Sequence, residues 1–522
     1  MSRCLAQRGS KGGTGMIETL GLLGHGFLDC LTLMNIFCAV IGCLLGSLIG
    51  VLPGLGISGT VAILLPVTFG MQPLSALIMI SGIYFGSQYG GAITSILVNI
   101  PGEATSIVTC FDGHPLAKQG KGGKALSVAA ISSFCGGTIG LIGLTFAASA
   151  LARVALSFGK VEFFAIVVFG LVLLTTISGK NQLKGLIVVC LGVILGCVGL
   201  DDLYGTLRFT YGVVDLYKGI SFVTFIMGVY GITELMSAIC IPENQGEVAD
   251  FNLREQFPNK KDFGQIYKTI GRCGIMGFGV GLVPGAGSTL ATFFAYGMER
   301  SLSKHPDAFG TGLLEGVAAP EAANNAAMYA GMVPLLSLGI PFTSSMALLM
   351  SAFIVHGITP GPMFISEHPD LFWGLIASMF IGNIVLLIIN LPLVGIWASL
   401  LKVDFTILMP LITFITFAGG YAINNSVFDM GVMVICGIFG FFLSACGYNM
   451  AALAVGLFLS PTLENSFLGT MTLYKGNLLA ALMDRPIAAA ILSIAMIALV
   501  YSTAKSLIQF FGKQKAANQG EA

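Results

Sequence analysis

Three carboxylates stand where acids are costly. Glu103, Glu315 and Glu321 lie in or beside long apolar runs, and an acid at membrane depth costs roughly 2.5 to 3.5 kcal/mol on insertion scales. Each is therefore a candidate for ion coupling or, at a helix start, for stabilisation by the helix dipole. Glu321 follows Pro320 directly and suits the helix-start reading, so structural and coupling roles both stay open. Around these acids stand Thr94, Ser95, Asn99, Ser106, Asn324, Asn325, Thr343, Ser344 and Ser345. Singly, each reads as an interhelical hydrogen-bonder worth about 1 kcal/mol. Gathered at chain breaks, they are the expected substrate and ion surface. Lys and Arg are absent from 46–106 and 311–346. An anion bound there is held by hydroxyls and by the unpaired N–H groups of half-helix N-termini, while free carbonyls at the other ends suit a cation.

Other chemistry finds little support. Asp112 and His114 precede Lys118, Lys121 and Lys124 and read as a turn. There is no HExxH, GxSxG or phosphate-binding Gly-x-x-x-x-Gly-Lys motif, so an intramembrane enzyme is the weaker class. The 12 cysteines include Cys38, Cys43, Cys135, Cys190, Cys197 and Cys436 within apolar runs, with no CxxC pair and no metal-ligand spacing. They read as small core residues. No metal and no cofactor are expected beyond a coupling cation, Na⁺ or H⁺.

The elements that must position these groups are membrane helices. Hydrophobic residues make up 55% of the 522 and charged residues 10%, well under half the usual charged share. The apolar runs are too long for the alternating strands of a barrel. The fold expected is an all-α polytopic membrane protein of about ten to twelve spans, allowing about 20 residues each. Net charge is zero, which gives no surface for nucleic acid.

The helices are interrupted in a repeated way. Gly46, Gly50, Pro53, Gly54 and Gly56 recur 231 residues later as Gly277, Gly281, Pro284, Gly285 and Gly287. Gly42, Gly46, Gly50 and Gly54 form a ridge for close helix approach, and the proline between glycines breaks the helix. A polar interruption, Gly86-Ser87-Gln88-Tyr89-Gly90-Gly91-Ala92-Ile93-Thr94-Ser95, implies irregular backbone inside a hydrophobic segment. A second break follows at Asn99-Ile100-Pro101-Gly102-Glu103, matched by Gly339-Ile340-Pro341-Phe342-Thr343. Paired interruptions at corresponding places in two halves mark the binding site of a secondary transporter. The candidate binding residues are thus Pro53, Gly54, Gly56, Gly90, Gly91, Thr94, Ser95, Asn99, Pro101, Gly102, Ser106, Pro284, Gly285, Gly287, Asn324, Asn325, Pro341, Thr343, Ser344 and Ser345.

The organisation expected is an N-terminal segment 1–26, a first repeat 27–241, a hydrophilic linker 242–272, a second repeat 273–446 and C-terminal spans and tail 447–522. Residues 1–15 read as a start-site extension before Met16. Basic residues in the linker and C-terminus place both on the cytoplasmic side. Seven spans between the two glycine-proline motifs then make the repeat inverted, although Arg3, Arg8 and Lys11 argue for parallel motifs.

Gly50-Val51-Leu52-Pro53-Gly54, Tyr84 to Gly91, Asn99-Ile100-Pro101-Gly102-Glu103, Asp112-Gly113-His114-Pro115-Leu116-Ala117 and Phe309 to Ala326 resemble the large membrane subunit of bacterial tripartite tricarboxylate transporters, the TctA family, from Met16 to about residue 500. The resemblance implies an ion-gradient-driven symporter of the bacterial inner membrane that imports citrate or related carboxylates. It further implies two partners, a small integral-membrane subunit and a periplasmic solute-binding protein. Two positions depart from the usual family pattern, Phe342 where glycine is common and His114 where tyrosine is. A passive anion channel is the remaining alternative, since broken helices also line channels.

Overall fold

The computed structural model describes residues 16–51, 57–99, 101, 103–155, 157–177, 182–201, 205–240, 257–283, 287–341, 343–393 and 405–520. The chain is helical nearly throughout these. The first half runs α1 (Met16–Cys30), α2 (Leu33–Gly50), α3 (Ile57–Leu64), α4 (Pro73–Leu97), α5 (Ile107–Leu116) and α6 (Gly122–Ala155). Then come α7 (Lys160–Ile177), α8 (Gln182–Gly196), α9 (Phe222–Ile226) and α10 (Thr233–Cys240). The second half repeats the pattern as α11 (Lys260–Gly281), α12 (Gly287–Leu302), α13 (Leu314–Leu338), α14 (Ser344–Val355), the short α15 (Phe364–Glu367) and α16 (Pro369–Asn390). Five more follow: α17 (Phe405–Asn424), α18 (Val427–Ala445), α19 (Met450–Leu473), α20 (Leu478–Asp484) and α21 (Pro486–Gly520). Among the described residues the one sheet is a two-stranded hairpin, Gly199–Leu200 with Leu207–Arg208.

Glycine spacing decides how each half is built. A Cβ on Gly42, Gly46 or Gly50 of α2 would fall inside 3.0 Å of the carbonyl oxygens of Met79, Ile83 or Ser87 of α4. Likewise Gly277 and Gly281 of α11 sit on the carbonyls of Ala323 and Ala327 of α13. The residue pairs correspond: Gly46 with Ile83 matches Gly277 with Ala323, and Gly50 with Ser87 matches Gly281 with Ala327. Close backbone approach between small residues is how helices associate where no hydrophobic force draws them together.

The two halves then interlock through their central helices. Phe85 of α4 stacks on Tyr329 of α13 with ring centroids 4.1 Å apart, while Gln88 meets Asn324 and Met328. Numbers rise along α4 as they fall along α13, so the two run antiparallel. Gln88 and Met328 are equivalent positions, 240 residues apart, and contact between equivalents is the mark of a two-fold relation. This is the inverted arrangement expected from the span count. The first half's α6 packs on α13, with Gly136 and Gly140 against the Ala322 and Ala326 carbonyls. At the seam Asn383 of α16 donates to the Phe134 carbonyl of α6 at 3.0 Å.

Several expectations change. The polar run 86–95 is not irregular: α4 is continuous through it, because its glycines serve close packing on α2 rather than a bend. Asp112 and His114 lie in helix α5, not in a turn; Lys118 and Lys121 continue in a π-helical stretch kinked at Gly120, whose φ is +77°, and Lys124 lies in α6. The second half's first helix begins at Lys260, inside the expected hydrophilic linker, with Asn259 accepting from the Lys261 and Asp262 N–H groups. Cys190 is exposed. Four described stretches are long and apolar enough to cross a membrane: Leu33–Gly50, the run within Ala104–Val154, Pro369–Asn390 and Val427–Ala445. A bent pair, Leu478–Asp484 and Pro486–Tyr501, makes a fifth. The half-length and central helices are not among these. Helices α3 and α14 are half-length pieces, and α4 and α13, though 25 residues each, carry amides and hydroxyls that dilute their hydropathy.

Candidate functional site

Both central helices end in the same device. Asn99 after α4 and Gly339 after α13 adopt left-handed backbone, with φ of 61° and 70°, the conformation that closes a helix and turns the chain back. Four residues on, Glu103 and Thr343 cap the next helical segment. The Glu103 carboxylate accepts from the Ala104 N–H at 3.2 Å, and the Thr343 hydroxyl accepts from the Met346 N–H at 3.2 Å. Each half thus has a helical hairpin whose tip is a proline-containing loop.

Those tips meet the first breaks. Glu103 Oε1 accepts from the backbone N–H of Ile57 at 2.8 Å, satisfying a donor at the start of α3 that the helix leaves unpaired. Ser58 and Ser345 hydroxyls lie 3.1 Å apart, joining the first half's α3 to the second half's hairpin tip. Gly287, with φ of 55° at the start of α12, faces the Thr343 methyl. The described residues flanking all four interruptions therefore converge. The described polar groups there are Glu103, Ser106, Thr343, Ser58 and Ser345.

A polar strip leads inward from this centre. Thr105 donates to Gln88 Oε1 at 3.1 Å, and the amides of Gln88 and Asn324 bond each other reciprocally at 3.3 and 3.4 Å. One turn after Thr105, Thr109 donates to Glu321 Oε1 at 2.6 Å. Ser133 of α6 donates to Glu321 Oε2 at 2.9 Å. Glu321 is 2% exposed, and no cationic side chain pairs with it among the described residues.

The expected residues divide accordingly. Ser106, Gly287, Pro341, Thr343 and Ser345, with Glu103, are at the convergent tips, while Asn99 and Pro101 are exposed on the loop leading to one of them. Asn324 belongs to the inward strip. Asn325 donates to the Glu321 carbonyl one turn back. Thr94 and Ser95 bond the Gly91 carbonyl of their own helix, each at 2.9 Å, and Gly90 packs on Gly50 and Val51. The two hydroxyl bonds stay within α4, and the Gly90 contact is helix packing. Pro53, Gly54, Gly56, Gly102, Pro284, Gly285 and Phe342 lie outside the described residues, and Ser344 is described in its backbone alone.

The acids separate by environment. Glu315 is half-buried in the first turn of α13, the helix-start role. Glu321 is not at a helix start: Pro320 sits inside α13, so the acid stands two turns deep. Asp112, which sequence reasoning set aside, is fully buried. It accepts from the N–H groups of Gly310, Gly312 and Leu313 at 2.8–3.0 Å and from the Tyr296 hydroxyl at 2.8 Å. Since Leu313 offers α13 no side-chain cap, the cap comes from α5 instead. Gln88, Thr105, Thr109 and Ser133 were also missed. Only Gln88 gave a signal, as a long polar side chain within an apolar run.

No group of three metal-ligating side chains occurs among the described residues. The arrangement gathers hydroxyls, one carboxylate and helix ends from both halves in one place. The family model for the tripartite tricarboxylate transporter TctA family matches residues 36–455. An uncharacterized 52.8 kDa protein in the TAR-I ttuC' 3' region of Agrobacterium vitis is 43% identical over 492 residues, covering 94% of this chain and 98% of the relative. An uncharacterized protein in the TAR-II ttuC' 3' region of the same organism is 43% identical over 228 residues, 44% of this chain and 94% of that one. No solved structure matches.

Proposed function

The chain belongs to the tripartite tricarboxylate transporter TctA family, and from that premise we propose that it is the large permease subunit of an ion-gradient-driven carboxylate importer of the bacterial inner membrane. Its substrates are citrate or related di- and tricarboxylates. It works with a small integral-membrane subunit and receives substrate from a periplasmic solute-binding protein. The observation that carries this reading is the convergence of the described residues flanking four chain interruptions, two from each half: Glu103 on Ile57, Ser58 on Ser345 and Gly287 beside Thr343. A carboxylate at such a place is held by backbone N–H groups and hydroxyls. The absence of lysine and arginine from 46–106 and 311–346 lets it leave again, because no full positive charge traps it.

The test is uptake of a labelled carboxylate panel, citrate included, into proteoliposomes carrying the chain with its small subunit, with and without the binding protein. Accumulation against a gradient that needs the binding protein and collapses with the ion gradient is expected. Equilibration without accumulation identifies a passive anion channel instead, and full-rate uptake without the binding protein contradicts the tripartite arrangement.

A further inference from the structure

Glu321 poses a problem of charge. It sits two turns into α13 with two hydroxyl partners and no counter-ion among the described residues, although the desolvation of an unpaired ionised carboxylate is prohibitive unless it is neutralised. The neutralising agent is a proton or a bound cation. Thr109 at 2.6 Å and Ser133 at 2.9 Å contact one oxygen each in ordinary hydrogen-bond geometry. Either hydroxyl can rotate to accept from a protonated carboxyl, since a hydroxyl both donates and accepts, so a proton is accommodated without moving the carboxyl.

A place for a proton-exchanging water adjoins the site. A small cavity with room for about one water molecule is lined by Ser133, Tyr89, Asn390, Ala129 and Ala130. Tyr89 is 5% and Asn390 3% exposed, yet the Tyr89 hydroxyl and the Asn390 Oδ1 have no hydrogen-bond partner among the described residues. Buried polar atoms are nearly always partnered, so two orphans around one cavity mark a place where water resides. The titratable groups facing Glu321 are Tyr89 from α4 and Cys110 from α5. From α6 the facing group is Ser133, and Gly277 and Gly281 of α11 lie on the Ala323 and Ala327 carbonyls of this stretch of α13. None is cationic.

Building on the importer reading, we propose that Glu321 is the proton-carrying group of the transport cycle, exchanging its proton with water in the cavity between Tyr89, Ser133 and Asn390. In each cycle the carboxylate takes one proton from the outer aqueous phase and gives one to the inner phase, moving it with the carboxylate substrate.

Two measurements test this in the assembled complex. Infrared difference spectra of the purified wild type over a pH series should show a protonated-carboxyl band that is lost in Glu321→Gln and whose midpoint moves in Ser133→Ala, which leaves the carboxyl in place. An unchanged band in both variants overturns the proposal, and this readout needs no knowledge of the substrate. In proteoliposomes with citrate as the probe, an inward proton gradient should drive accumulation by wild type. Glu321→Gln should lose that accumulation yet still exchange internal for external citrate. Proton-driven accumulation by Glu321→Gln at the wild-type level, or wild-type accumulation that follows a sodium gradient and moves no protons, overturns it. If the wild type takes up no carboxylate, the importer reading fails, and the infrared spectra alone then decide whether Glu321 titrates.

Discussion

At the scale of single residues, Asp112 is the acid whose role the sequence concealed most completely. It stands near histidine and lysines, the composition of a surface turn, and nothing local says that its partners lie some 200 positions away. The carboxylate closes the start of α13 by accepting three backbone N–H groups and the Tyr296 hydroxyl. Hydrogen bonds to a charged acceptor are worth about 1.5 to 3 kcal/mol each, and a buried donor left unpaired costs about 1 to 3 kcal/mol. Asp112→Asn turns an acceptor into a donor facing donors, so a loss of about 3 kcal/mol or more is expected, read as a lowered unfolding midpoint in detergent. Tyr296→Phe removes one partner and should cost about 1 to 2 kcal/mol. Gly316 belongs to the same unit, because a Cβ there would land on the Asp112 carboxylate. Glu321 shows the opposite failure. Its position after proline imitates a helix start, but the proline is tolerated inside α13, as membrane helices allow.

At the scale of elements, glycine periodicity was legible and its partners were not. The spacing of Gly42, Gly46 and Gly50 announces a flat face, yet that the face meets Met79, Ile83 and Ser87 emerges only from the folded chain. The same holds for Gly277 and Gly281. The glycines of 86–95 were misread because glycine signals both a bend and a close approach, and here Gly86 and Gly90 lie on the backbone of α2. This gives a sharp contrast within one helix. Gly281→Leu drives a side chain into the Ala327 carbonyl and should abolish uptake and lower the unfolding midpoint. Gly279, two residues earlier, has nothing within 4 Å of an added Cβ, so Gly279→Ala should leave both within the scatter of the wild type. Equal damage from both variants would show that helix composition, not the packing of α11 on α13, sets the sensitivity.

At the scale of the whole molecule, the repeat was readable as two offsets, 231 residues at the first break and 240 at the second, and the difference is absorbed between α12 and α13. What no spacing reveals is that the halves exchange partners. The second half's hairpin tip reaches the first half's α3 through Ser345 and Ser58, while α5 of the first half reaches α13 of the second through Thr109 and Glu321. A site assembled from both halves changes shape whenever one moves against the other, which is the requirement of alternating access. Tying the two tips together should therefore stop transport without unfolding the protein. With hydroxyl oxygens 3.1 Å apart, Ser58→Cys with Ser345→Cys needs a small approach to reach disulfide distance. Oxidation of the double variant should abolish carboxylate uptake, and reductant should restore it. Each single variant, treated alike, should keep the uptake it shows before oxidation, which controls for the native cysteines. Undiminished transport by the cross-linked double variant would mean that these tips stay together throughout the cycle. The motion would then lie elsewhere, at the packing of α6 on α13 or of α16 on α4.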